Sequence, residues 1–168
     1  MSIKFHQLLT KMSKPKIRAT ILDIPGIDRY EIIKSAISRF NTAIEHSFFL
    51  EATALIESLI CDRLESRIGE LTHKSVEFGT LGDLLKKLNN IETDVELKNI
   101  MNNVLNQWAG KRNIVIHQAA KIELGKKKDW NDYLRLAEST AIDGRKAFDN
   151  YNTQLQKIRR QKTSKKEI

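Results

Sequence analysis

The chain has 168 residues, 40% hydrophobic and 30% charged, the size and balance of one globular domain around a single core. Its lone cysteine, Cys61, excludes an intrachain disulfide and a cysteine-based zinc site. No apolar run reaches signal-peptide or membrane-spanning length, so the expectation is a cytoplasmic protein with no membrane attachment.

The net charge of +8 is concentrated at the ends. Residues 1–20 hold five basic and no acidic side chains, and residues 157–168 hold six basic and one acidic. The body between them is close to neutral. Basic ends attract polyanions without reading sequence, and they also serve simply as solubilising tails. The chain divides into a basic N-terminal segment (1–27), a helical body (28–160) and a basic C-terminal tail (161–168).

In chain order, both prolines (Pro15 and Pro25) precede the body. Asp28 and Glu31 have the spacing of a capping box opening a first helix. Its apolar face is Ile32, Ile33, Ala36, Ile37, Phe40, Ala43 and Ile44. A second helix runs from about Phe48 to Ile68, burying Phe49, Ala52, Leu55, Ile56, Leu59, Ile60 and Leu64, with Gly69 as its stop and 70–79 as a loop. Cys61 falls within this apolar run and reads as a buried, structural thiol.

Thr80 and Asp83 open a short helix carrying Leu81, Leu84, Leu85 and Leu88. Thr93 and Glu96 form another capping box. The helix that follows presents Leu97, Ile100, Met101, Val104, Leu105 and Trp108, weakens or kinks at Gly110, and continues to about Ile122. Gly125 and Lys126–Lys128 mark a turn. In the last helix Trp130, Leu134, Ala137, Ala141, Gly144, Phe148, Tyr151, Leu155 and Ile158 alternate spacings of four and three, a heptad seam that lines a bundle core or pairs with a second chain. Trp108 and Trp130 read as core anchors. The fold class is all-α: an antiparallel bundle of four or five helices with a long C-terminal helix.

Chemistry concentrates in Arg112-Asn113-Ile114-Val115-Ile116-His117. Imidazole is the side chain that exchanges a proton near neutral pH, a guanidinium holds phosphate oxygens, and a carboxamide orients either. On a helix, Asn113 and His117 share a face, whereas Arg112 and His117 lie about 140° apart. Arg112 therefore has to reach in from a bend near Gly110 or across a dimer interface. Glu51 and Glu57, on the second helix, are the acidic candidates to meet it, and spacing does not choose between them. His6, His46 and His73 are scattered without metal-ligand spacing; His46 reads as a cap or interhelical contact.

Arg112-Asn113-x-x-x-His117 resembles the R-x4-6-H motif of the HEPN superfamily (higher eukaryotes and prokaryotes nucleotide-binding). The resemblance includes a polar residue after the arginine and a position late in an all-helical bundle, with one long helix to follow. Glu51-Ala52-x-x-Leu55-Ile56-Glu57-x-Leu59 and Gly79-Thr80-Leu81-Gly82-Asp83-Leu84-Leu85 look similar to the preceding parts of such proteins. The resemblance covers roughly residues 28–160.

It implies a ribonuclease that needs no metal or other cofactor, in which the RNA 2′-hydroxyl attacks the adjacent phosphate. His117 would be general base or acid, Arg112 would hold the phosphate, and Asn113 would orient one of them. It further implies a homodimer with motif helices face to face, and a toxin or phage-defence effector paired with a minimal nucleotidyltransferase antitoxin. Lys111, Lys121, Lys126, Lys127 and Lys128 stand near enough in sequence to guide RNA, although the lysine run fits a solvated turn better. The competing classes are a non-catalytic HEPN-like regulatory or scaffolding module and a basic helical nucleic-acid-binding protein whose tails do the binding.

Overall fold

The structure, a computed structural model, describes residues 26–119 and 129–164. The described residues form helices joined by short connections, with no strand among them. No helix among them is long and apolar enough to cross a membrane.

Helix α1 (Gly26–Glu45) buries Phe40 and Ala43 and half-buries Ile33, Ala36 and Ile37. It is already under way at Gly26, so the Asp28–Glu31 pair lies inside it and not at its start. Ile32, expected on the apolar face, is 61% exposed. A tight turn through Ser47, at a left-handed φ of 59°, leads into α2 (Phe49–Thr72).

Helix α2 is the central element. Ala52, Ile56, Ile60, Leu64 and Ile68 are fully buried along it. Gly69 does not stop it. The helix runs three residues further and closes at His73, whose left-handed backbone (φ 55°) returns its amide to the Gly69 carbonyl at 2.9 Å.

Helix α3 (Leu81–Ile91) begins as its spacing predicts: Thr80 Oγ1 accepts from the Asp83 amide at 3.3 Å and donates to Asp83 Oδ2 at 2.6 Å. Leu81, Leu84, Leu85 and Leu88 are all buried. The next cap shifts by one residue from the expected Thr93. Asp94 Oδ1 accepts from the Leu97 amide at 2.8 Å and opens α4 (Val95–Ile100).

A π-helical turn, Met101–Leu105, then carries the chain without a break into α5 (Asn106–Gln118). The irregularity of this rod is the π turn, and not Gly110, through which α5 passes with open space around it. A π turn widens the helix, so Leu97, Met101 and Leu105, spaced by four and four, all stay on the buried side. From there Trp108, Arg112 and Val115 continue at ordinary α spacing. The expected run to Ile122 and the turn at Gly125 fall partly outside the described residues.

Helix α6 (Trp130–Ser164) carries the heptad seam into the core. Ala137, Ala141, Gly144, Phe148, Tyr151, Leu155 and Ile158 are buried. Trp130 is the exception, 56% exposed and stacked on Tyr133 at 5.0 Å between ring centroids, so it does not anchor the core.

Cross-links give the topology. Arg29–Asp62 and Arg39–Glu51 set α1 antiparallel to α2. Trp108–Thr140 and Tyr133–Val115 set α5 antiparallel to α6. Phe49 packs with Ala137 at one end and Glu70 pairs with Arg159 at the other, so α2 and α6 run side by side in the same direction.

Two contacts fix this arrangement. Trp108 donates Nε1–H to the Thr140 carbonyl at 2.9 Å and lies over Gly144. Arg67 and Glu92 form a bidentate pair (2.7 and 2.9 Å), 2% and 0% exposed, which ties α2 to the corner between α3 and α4. Glu92 Oε1 also accepts the Thr93 and Asp94 amides. Burial alone would raise the Glu92 pKa. Hydrogen bonds from Arg67 and from those amides outweigh burial and hold it below the usual carboxylate range.

A methyl group on Gly144 would stand 2.6 Å from Trp108 Nε1. Gly144→Ala is therefore expected to cost about 1–3 kcal/mol, read as a lower urea midpoint. Glu92→Gln should cost about 1.5–3 kcal/mol by removing the closer of the two carboxylates on Arg67 and leaving it only Glu70, at 3.3 Å. Because the folded pKa of Glu92 is lowered, its contribution is fully present above the unfolded carboxylate value and is lost as pH falls through the folded one. Urea titrations from pH 7 to pH 3 should show a steeper acid loss for the wild type than for Glu92→Gln.

Candidate functional site

The motif lies on the last two turns of α5, where the helix is gripped on two sides. Val115 is fully buried, packed with Phe49 and Ala137, and its carbonyl accepts from Tyr133 Oη at 2.9 Å. Ile116 is half-buried, while Ile114 is 45% exposed. Two of the three apolar residues thus anchor the segment and the third faces outward.

Arg112 shares the inward side of α5 with Trp108 and Val115, and its side chain is only 13% exposed. Its Nη2 donates to Glu57 Oε1 on α2, and its Nη1 donates to Asn113 Oδ1 at 2.6 Å. Its buried Nε has no partner among the described residues. Glu57 is therefore the acidic partner, while Glu51 binds Arg39 at 2.6 Å. No bend at Gly110 is needed for the approach, because the helical face alone aims Arg112 at α2.

Asn113 and His117 are exposed, four residues apart on the same edge of α5. His117 has no hydrogen-bond or ion-pair partner among the described residues. The structure brings Arg112, Asn113 and Glu57 into one hydrogen-bonded group and leaves His117 one turn beyond it, outside that group. Asn113 connects the two, since it touches Arg112 and shares the His117 edge.

Cys61 lies one turn beyond Glu57 on α2. Burial pushes its thiol up to about 12, and the negative charges of Glu57 and Glu65 add to this against a smaller pull from Arg112. A thiol so disfavoured as thiolate is a neutral neighbour of the pair and not a nucleophile.

Of the lysines expected to guide RNA, Lys111 donates to Asp143 Oδ2 at 3.0 Å across the exposed face between α5 and α6. Lys121, Lys126, Lys127 and Lys128 lie outside the described residues, as do the first 25 residues of the basic N-terminal segment and the last four of the tail. His46, just past the end of α1, donates Nδ1–H to the Thr42 carbonyl at 2.9 Å and stacks on Phe48. No group of three or more His, Cys, Asp or Glu side chains placed to hold a metal ion occurs among the described residues.

The chain matches no protein-family model, no curated protein and no solved structure in the comparisons made.

Because Glu57 and Arg112 are both largely enclosed, they should couple in stability. A double-mutant cycle of Glu57→Ala and Arg112→Ala, measured by urea denaturation, is expected to return an interaction of about 1–2 kcal/mol. A value indistinguishable from zero would mean that the two side chains do not hold each other in solution.

Proposed function

We propose that the chain is a metal-independent endoribonuclease of HEPN type. The observation that carries this reading is the ordered Glu57–Arg112–Asn113 group beside an exposed His117 on a firmly packed helix. A guanidinium fixed by a carboxylate and a carboxamide is held in one place, as transition-state stabilisation requires, and the second hydrogen on each Nη is what a phosphate oxygen would take. An imidazole open to solvent one turn away is free to meet a substrate hydroxyl.

In the reaction proposed, a base takes the proton of the RNA 2′-hydroxyl and the 2′-oxygen bonds to the adjacent phosphorus. The bond to the 5′-oxygen breaks, and that oxygen leaves with a proton. The products are a cyclic phosphate and a 5′-hydroxyl end. His117 acts as the base or the acid. Arg112 holds a non-bridging oxygen as negative charge builds on the phosphorane-like transition state. Asn113 keeps Arg112 and His117 in register.

A homodimer with motif helices face to face belongs to this proposal. Ile114 at 45% and Phe48 at 54% exposure, at the same end of the bundle as His117, are apolar surface that a second copy would cover. The setting proposed is a toxin or phage-defence effector, with a minimal nucleotidyltransferase as antitoxin. The non-catalytic alternative draws on the enclosure of Arg112, whose outer nitrogens are both engaged, as they would be in a purely structural pair.

Cleavage of bulk RNA in excess EDTA decides between them. His117→Ala, an exposed substitution that leaves the fold intact by circular dichroism, should lower the rate by about 10²–10⁴-fold. Arg112→Ala should lower it at least as far while also destabilising the fold. Full cleavage by a clean His117→Ala preparation would overturn the catalytic reading.

A further inference from the structure

Breaking the RNA backbone by 2′-hydroxyl attack needs two proton-handling groups. One takes the proton of the 2′-hydroxyl, and the other gives a proton to the departing 5′-oxygen. The entering and leaving oxygens lie roughly in line through phosphorus, so the two groups belong on opposite sides of whatever holds the phosphate. His117 can fill one role. The other needs a second group.

The surroundings of Arg112 offer one. Its Nη2 faces Glu57, and its Nη1 faces Asn113, whose edge of α5 also carries His117. The guanidinium therefore stands between a carboxylate on one flank and, on the other, the edge that bears the imidazole. His117 is five residues beyond Arg112, about 7.5 Å along the helix axis, and does not crowd the guanidinium.

Glu57 is the more open member of its pair, 25% exposed against 13% for Arg112. Only its Oε1 accepts from Arg112. Its Oε2 has no hydrogen-bond partner among the described residues and, unlike Arg112 Nε, is not shut off from solvent. Phe49 packs with Val115 while Glu57 meets Arg112, so α2 and α5 run antiparallel. The turn of α2 before Glu57 thus lies alongside the end of α5. On that turn Ala54, three residues from Glu57 and on the same side of the helix, is exposed, and a methyl group is all it sets there.

We propose that Glu57 is the general base and His117 the general acid of a site complete within one chain. The proposal rests on the ribonuclease reading and fixes the roles that reading leaves open. A carboxylate stands without its proton at neutral pH, and an imidazole can carry one. Glu57 Oε2 takes the 2′-hydroxyl proton as the 2′-oxygen bonds to phosphorus. Arg112 holds a non-bridging oxygen. The bond from phosphorus to the 5′-oxygen breaks, its electron pair stays with that oxygen, and protonated His117 gives it a proton. Glu57 then releases its proton to water and His117 takes one back, so the cycle neither gains nor loses a proton.

The test is a short RNA that the wild-type chain cuts in EDTA, made again with sulfur replacing the 5′-bridging oxygen at the cut linkage. A thiolate leaves without needing a proton, so sulfur repairs loss of the acid and not loss of the base. On ordinary RNA, His117→Ala and Glu57→Gln should each slow cleavage by about 10²–10⁴-fold. On the sulfur-substituted RNA, His117→Ala should come within about tenfold of the wild type while Glu57→Gln stays as slow as before. Glutamine keeps an acceptor for Arg112 but takes no proton, whereas Glu57→Asp keeps a carboxylate and should retain more activity than Glu57→Gln. If Glu57→Gln fails to fold, Glu57→Asp carries the test and should be slowed by the same factor on both RNAs. Sulfur rescue of a Glu57 variant, no rescue of His117→Ala, or wild-type cleavage by Glu57→Gln would each overturn the proposal and leave the ribonuclease reading standing. No cleavage in EDTA by the wild type would overturn both.

Discussion

The placement of Trp108 over Gly144 is the constraint on which the rest of the motif helix depends. An indole laid on a residue without a Cβ brings the axes of α5 and α6 closer than any side chain at 144 would permit. The hydrogen bond from its Nε1 to the Thr140 carbonyl then fixes how far α5 slides and turns against α6. Arg112 is one helical turn further along, so the same rotation that seats the indole aims the guanidinium at Glu57. The π turn before Trp108 serves the same end, because it keeps Leu97, Met101 and Leu105 inward while delivering Trp108 at the angle Gly144 requires. Local widening of one turn and a single missing methyl group together set the direction of a side chain that touches neither.

The two ends of the bundle are built on different physics. Around Val115, Phe49 and Ala137 the contacts are apolar, with one phenol hydrogen bond from Tyr133 to close the layer. At the opposite end Arg67, Glu92, Glu70 and Arg159 make a partly buried chain of alternating charge. The buried Tyr151 hydroxyl belongs to this neighbourhood and has its ionisation pushed up by desolvation, with Arg67 and Arg159 pulling down against Glu92 and Glu70. Apolar packing tolerates small slips, whereas hydrogen-bonded charges do not. The polar end therefore specifies how α2, α3 and α6 align, while the apolar end leaves its outer edge free for Asn113, Ile114 and His117.

How far the sequence could be read follows from the range of each interaction. The leucine stripe of α3 and its Thr80 cap were legible because every partner lies within a turn. So was the seam of α6, whose period is written in nine residues, although Trp130 fits the period and still faces outward beyond the end of the layer it should have joined. The cap at Asp94 was missed by one residue because Thr93 and Asp94 are both good caps, and the choice is made by Glu92 accepting the Thr93 and Asp94 amides. The π turn left no mark in the spacing of Leu97, Met101 and Leu105, because the ordinary helix α2 also buries residues at intervals of four, and Gly110 was the only local feature that suggested an irregular helix. Arg67–Glu92 joins residues in different helices, and nothing local marks either as buried. The candidate site was half legible: the motif named Arg112, Asn113 and His117, but choosing Glu57 over Glu51 required knowing which side of α2 faces α5.

The parallel pairing of α2 with α6 carries a consequence for how the protein comes into being. The partner of the central helix is made after every other described helix, so Ile56, Ile60 and Leu64 await contacts that do not exist until α3, α4 and α5 have been made. Such a topology raises the mean sequence separation of its contacts and slows folding relative to an up-and-down bundle of equal size. During translation the nascent helices have only part of their core to bury, a state open to chaperones and prone to association. Assembly completes as α6 docks, and the same event seats Trp108 on Gly144. A helix that arrives last thus gates the geometry around Arg112, and the first three-quarters of the chain cannot assume that geometry ahead of it.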